Sequence, residues 1–196
     1  MGLEPSVSDD ASDAAVIARS LSRPEAFGAI FDRHFAAVHG YLARRIGGGR
    51  ADDLSSATFT VAFERRRKFH SDADSARPWL FGIATNLLRN ERRSEQRAIA
   101  ALPRMRPVEA EWAAAEGVHR ARLATLLGEL DADQRDVLLL YAWAEFPYAE
   151  IASSLGIPIG TVRSRLARAR AHLRAGLTSD DEAGSTRDAD SQERSG

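Results

Sequence analysis

The chain has 196 residues, a formal charge of −1, 28% charged and 44% hydrophobic residues and no cysteine, which excludes disulfides, a thiolate nucleophile and a cysteine-based zinc site. No stretch approaches the roughly 20 apolar residues that cross a bilayer, and the acidic start is unlike a signal peptide, so a cytoplasmic location without membrane insertion is expected. The near-neutral total hides an asymmetry: residues 1–18 and 178–196 each carry −4, leaving +7 on the middle of the chain.

In chain order, residues 1–18 are acidic and poor in large apolar side chains, and are expected to be a disordered tail. A first helix is expected from near Pro24 to Ile46, burying Phe27, Phe31, His34 or Phe35, Val38 and Leu42, and ended by Gly47, Gly48 and Gly49. A second begins at Asp52 or Asp53, whose carboxylates suit a helix N-terminus, and runs through Leu54, Thr58, Val61 and Phe63 to about Lys68. After a loop from His70 to Arg77, Pro78 opens a third helix with Trp79, Leu80, Ile83, Ala84 and Leu87 inward. These helices make one small bundle, bounded at 19–93.

Residues 94–117 read as a linker, with Pro103 and Pro107 breaking any long helix. A helix from Val118 to about Leu130 follows. The next is announced by Asp131, Ala132, Asp133 and Gln134 in a capping-box-like start, with Val137, Leu138 and Tyr141 buried. Two further short helices complete a second bundle at 118–177, and 178–196 reads as a second disordered acidic tail. The fold class is all-α, two small helical bundles on a flexible linker, without strand alternation or repeat.

The last two helices carry the strongest functional signal. In YAEIASSLGIPIGTVRSRLARARAHLR (148–174), Ile151, Ala152 and Leu155 supply the inner side of one helix, Gly156 permits a left-handed turn, and Pro158 opens the next helix. In that second helix Val162, Leu166, Ala169 and Leu173 share one stripe, and Arg163, Ala167, Arg170 and Arg174 share the opposite one. From Ile159 to Leu177 there are five arginines and no acid, so no local ion pair relieves their repulsion, and a polyanion would. Gly160, Thr161 and Ser164 sit at the helix start, where a recognition helix meets base edges. A second basic face follows from Asn86, Arg89 and Arg93 at steps of three and four, with Arg92 and Arg97 extending it. Two such surfaces on tethered bundles imply one nucleic acid touched at two places.

Catalysis is not expected: no Ser/His/Asp constellation or phosphate-cradling glycine loop is present, the five histidines lack metal-ligand spacing, and no metal or cofactor is implied. A stand-alone helix-turn-helix repressor is the competing reading. It would need only the second bundle and usually a symmetric dimer.

Over residues 20–177 the chain resembles the sigma-70 family of bacterial RNA polymerase initiation factors, specifically the small two-domain extracytoplasmic-function group. EIASSLGIPIGTVRSRLARARAHLR is similar to that group's fourth region, and ADDLSSATFTVAFERRRKF followed by RPWLFGIATNLLRNERR is similar to its second. The resemblance implies a promoter-selecting subunit of core RNA polymerase, with clamp and flap as docking partners, and relatives are often held by an anti-sigma protein. It implies that Asp52, Asp53, Leu54 and Phe59 dock on the clamp. Asn86, Arg89, Asn90, Arg92 and Arg93 would engage the −10 element; Thr161, Arg163, Ser164, Arg165 and Arg168, beside Gly160 and Arg170, the −35 element. The chain departs from the family pattern at Ser55, Ser56 and Ala57, where relatives carry a glutamine and an acid, and at Asn90, where many have aspartate. The loop 70–77 contains Asp72 and Asp74.

Overall fold

A computed structural model describes residues 11–69, 75–100 and 118–192, with side chains described to Ser94 in the second stretch and over 122–178 in the third. Among the described residues eight α-helices follow in order: α1 (Asp13–Ser20), α2 (Gly28–Ile46), α3 (Gly48–Arg65), α4 (Arg77–Ala100), α5 (Val118–Glu129), α6 (Ala132–Trp143), α7 (Tyr148–Leu155) and α8 (Ile159–Gln192). Among the described residues there is no strand. The chain divides into two compact units, the first built on α1 to α4, the second on α5, α6, α8 and the first part of α7.

The N-terminal segment is where the sequence reading fails first. Residues 13–18, expected to be disordered, belong to α1, capped by Ser12, whose Oγ accepts from the Ala15 N–H at 3.3 Å. Val16 and Ile17 are 1% and 2% exposed, so this short helix adds two full side chains to the first core, each worth roughly 1.5–3 kcal/mol. The Asp13 carboxylate is what secures it. It accepts from the Ala76 backbone N–H at 2.8 Å, lies 2.7 Å from His34 Nε2 and accepts from Arg33 Nη1 at 3.2 Å. Burial alone would raise the carboxyl's pKa; the Ala76 N–H, His34 and Arg33 outweigh it and hold Asp13 below its ordinary value of 3.8.

Around this clasp, α2, α3 and α4 pack through Ile30, Val38, Leu42, Ala51, Phe59, Ala62, Leu80, Ala84 and Leu88. A 3-10 turn, Pro24–Phe27, precedes α2, so the expected single helix from Pro24 has a tighter first turn. Phe31 was expected in the core but is 40% exposed; the buried stripe is Ile30, His34 and Val38, one residue earlier. Of the three glycines only Gly47, at φ 79°, breaks the chain; α3 starts at once with Gly48, so Asp52 and Asp53 lie in its second turn and cap nothing. The inward side of α3 is Ala51, Ser55, Thr58, Phe59 and Ala62, which displaces Leu54, Val61 and Phe63 to half-buried positions. Helix α4 runs on to Ala100, into what read as linker, and buries Leu88 where Leu87 was expected; Leu87 and Trp79 are half-buried. The remainder of that linker, 101–117, and the loop positions 70–74 lie outside the described residues.

In the second unit Leu126, Leu130, Val137, Leu140, Phe146, Ile151, Val162, Leu166 and Ala169 form the core. The end of α5 is closed by Arg135, whose Nε donates to the Leu127 carbonyl at 2.6 Å and Nη2 to those of Gly128 and Leu130 at 2.6 and 2.7 Å. The expected capping box at Asp131 is absent: its side chain makes no capping hydrogen bond, and Asp133 is engaged elsewhere. Tyr141 is 38% exposed, not buried. Gly156 does take the left-handed conformation expected of it, φ 63°, and the Ile157 N–H returns to the Ala152 carbonyl at 3.0 Å, ending α7 as a tight turn does. Helix α8 extends to Gln192, well past the expected boundary at 177.

Candidate nucleic-acid interface

Helix α8 follows Pro158, whose carbonyl accepts from the N–H of Thr161 at 2.8 Å and of Val162 at 3.2 Å. Its inner side is Val162, Leu166 and Ala169, all at most 1% exposed, with Leu173 half-buried. At 3.6 residues per turn, the line diametrically opposite that stripe runs through Gly160, Ser164, Ala167 and Ala171, and all four are exposed. The arginines therefore do not lie opposite the core, as the stripe pattern suggested. They line the two edges of a strip of small residues: Arg163, Arg170 and Arg174 on one, Arg165 and Arg168 on the other. Gly160 needs no space from its own fold, since a Cβ added there would meet nothing within 4 Å.

The edges differ in how their charges are held. Arg163, Arg168 and Arg174 are exposed. The Arg170 guanidinium sits 4.6 Å from the centre of the Tyr141 ring, which itself lies against Tyr148 at 5.8 Å, a cation–π support that fixes the direction of the side chain. Arg165 is turned toward α6, where its Nη2 donates to Asp133 Oδ2 at 2.5 Å. The arrangement presents a narrow, neutral strip of small side chains between two positive rims, a shape suited to a DNA groove flanked by phosphates.

On α4, Asn86, Asn90 and Arg93 are exposed, and Arg89 and Arg92 are half-buried. Arg92 Nη2 donates to the Arg45 carbonyl at 3.3 Å, which closes the C-terminal end of α2. Glu91, within this basic run, pairs with Arg50 at 2.5 Å, so one acid that dilutes the face is already neutralised. The platform is stiff: Leu80, Ala84 and Leu88 are at most 1% exposed, and Thr85 Oγ1 meets Tyr41 Oη at 3.0 Å, while buried Arg45 donates to that same phenol.

The expected docking set is split by the structure. Asp52 and Asp53 are exposed, Leu54 is half-buried, and Phe59 is only 5% exposed and so touches no partner directly. Phe59 instead supports an aromatic row that sequence reading missed: its ring lies 4.9 Å from Phe31 and 6.1 Å from Phe35, which stack on each other at 4.7 Å. Phe35 stacks in turn on His39 at 5.6 Å, and His39 Nε2 reaches Asp52 Oδ1 at 2.9 Å. Phe31, Phe35 and His39 stand at i, i+4 and i+8, one step from the buried Ile30, His34, Val38 stripe; that offset was the available signal.

The known proteins that this chain is similar to share both halves. The Sigma-70 region 2 family profile matches residues 30–98, and the Sigma-70, region 4 profile matches residues 120–173. The ECF RNA polymerase sigma factor SigC of Mycobacterium tuberculosis is 32% identical over 176 residues, covering 86% of this chain and 95% of its own. The RNA polymerase sigma factor NccH of Alcaligenes xylosoxydans is 31% identical over 185 residues, 88% and 98% of the two chains. Among solved structures, CnrH in complex with the cytosolic domain of CnrY matches with a TM-score of 0.61 and 30% identity, over 86% of this chain and 98% of that one.

Proposed function

The chain belongs to the sigma-70 family of RNA polymerase sigma factors, within its extracytoplasmic-function group, and we propose that three of its faces divide the work of promoter selection. As such a factor it is a non-enzymatic initiation subunit that binds core RNA polymerase and directs it to promoter DNA. Its place of action in this reading is the cytoplasm, with the polymerase on the chromosome; no helix among the described residues is long and apolar enough to cross a membrane.

In the proposal, α8 enters the groove at the −35 element. Gly160, Thr161 and Ser164 approach base edges at its first turns, while Arg163, Arg168 and Arg170 reach bases or phosphates at the rims. On α4, Asn86, Arg89, Asn90 and Arg93 meet the −10 element, and Arg92 chiefly ties α4 to α2. Docking on the polymerase clamp uses Asp52, Asp53 and Leu54, with Phe31 and Phe35 as its apolar part and Phe59 as their support. CnrH is solved with the cytosolic domain of another protein, and a comparable partner that covers the Phe31–Phe35 row would restrain this factor.

The observation that carries the reading is the exposed strip of Gly160, Ser164, Ala167 and Ala171 between arginine edges, on a chain that also displays a basic α4. The test is a promoter-duplex shift with the protein alone and with core polymerase. Tight, promoter-specific binding should require core. Tight binding by the protein alone to a site of two-fold symmetry would instead make it a repressor.

A further inference from the structure

The five arginines between Ile159 and Leu177 on α8 are not equivalent. Arg165 lies on the edge of the exposed strip, yet its side chain is only 22% exposed and its guanidinium is directed at Asp133 in the first turn of α6, Nη2 to Oδ2 at 2.5 Å. Its neighbour on the same edge, Arg168, is exposed. A guanidinium turned to α6 and satisfied by a carboxylate is withheld from a phosphate, since leaving Asp133 would break a charge-assisted hydrogen bond.

Resting on the −35 assignment of α8, we propose that Asp133 is a positioning residue that acts through Arg165 as a brake on DNA binding without polymerase. It removes one cation from the rim that would otherwise bind any phosphate, leaving sequence-dependent contacts a larger share of the interaction. Non-specific affinity comes almost wholly from neutralised phosphates, so one withheld arginine is read directly in the salt dependence. A low intrinsic affinity keeps the free factor from being held on the many non-promoter sites of a genome. The Asp133 carboxylate is itself 46% exposed, so it is open to substitution without disturbing the core.

The experiment measures the full chain on a −35 duplex and on a scrambled duplex by fluorescence anisotropy, between 50 and 200 mM salt, with melting followed in parallel. Asp133→Asn should bind both duplexes more tightly, with a salt slope steeper by about 0.9, one phosphate's worth, which is about a 3.5-fold larger loss of affinity across that range. The gain should vanish in the Arg165→Ala background, and Asp131→Asn, which removes the same charge from an exposed neighbour, should not reproduce it. A gain that persists with Arg165→Ala, or that Asp131→Asn matches, would mean simple charge repulsion and overturn the proposal. Weaker binding by Asp133→Asn would make the pair a buttress that aims Arg165 at DNA, and an unchanged slope would mean a structural tie; either result overturns it too. Failure of the −35 assignment itself shows separately, as Arg163→Ala with no effect on −35 duplex binding or on holoenzyme discrimination.

Discussion

Removing the Asp13 carboxylate should cost the first unit more than any other single change to a charged side chain in α1. Asp13→Ala strips the Ala76 N–H and His34 of a buried acceptor at 2.8 and 2.7 Å and leaves them in a site that is 7% exposed at Asp13. Arg33, whose side chain is 24% exposed, can turn to water and contributes less. Breaking a buried charged pair by deleting one partner costs about 3–5 kcal/mol, and a unit of this size loses about 4–8 °C per kcal/mol, so its melting should fall by at least about 12 °C. Asp13→Asn keeps the shape and isolates the charge. Because the folded carboxyl titrates below its ordinary 3.8, its contribution is fully present above about pH 4 and is lost as pH falls through the folded value. The gap in stability between wild type and Asp13→Asn, followed by circular dichroism with hydrogen exchange to assign the transition to α1–α4, should therefore be flat from pH 7 to 5 and narrow as the pH falls below that ordinary value. A gap below about 0.5 kcal/mol at pH 7, or one that does not narrow in acid, would refute the assignment of Asp13 as the ionised keystone of this unit.

Arg163→Ala in the holoenzyme should cost about 1–3 kcal/mol of −35 discrimination if it reads a guanine; a uniform loss over all −35 variants, with a shallower salt slope, makes it a phosphate anchor. Phe31→Ala combined with Phe35→Ala should weaken competition for core polymerase with little loss of fold, whereas Phe59→Ala should destabilise the first unit by about 3–5 kcal/mol; normal competition by the double variant rejects the aromatic row as a docking contact. Asn86→Ala with Arg89→Ala should spare closed-complex binding and depress strand opening, because contacts to unstacked bases exist only after opening. A template already melted at −10 should restore that variant at least partly, and an undiminished defect on it contradicts the role in opening.

The fold class, the two units and the turn at Gly156 were legible in the sequence because helical periodicity and a left-handed glycine are local signals. What was misplaced depends on context. Phe31 and Ile30 both suit an inner face by composition, and only the packing of α3 and α4 chooses Ile30. Gly48 and Gly49 are poor helix formers, yet tertiary packing carries α3 through them, so Asp52 is an exposed partner of His39 rather than a cap. Helix α1 was invisible because its acidic, alanine-rich surroundings resemble a tail. The anchor at Asp13 depends on a residue 63 positions away. The positions of the arginines on α8 were read from pairwise steps, which put residues on a common side without saying how far that side stands from the core; the burial pattern shows them at the edges. Asp133 belongs by sequence to a capping-box-like helix start, a local signal, whereas its partner Arg165 is 32 residues later.

The central claim is that this chain gives core polymerase its promoter choice through α4 and α8 together. Transcription with purified core on a fragmented genomic pool, with every 5′ end sequenced, tests it directly. Addition of the protein should create a discrete set of starts, each preceded by a pair of sequence elements at constant spacing. These starts should weaken with Arg163→Ala, and the constraint should relax at a single upstream position if that arginine reads a base. The same starts from core alone, or new starts with no recurring pair of elements upstream, would contradict the account.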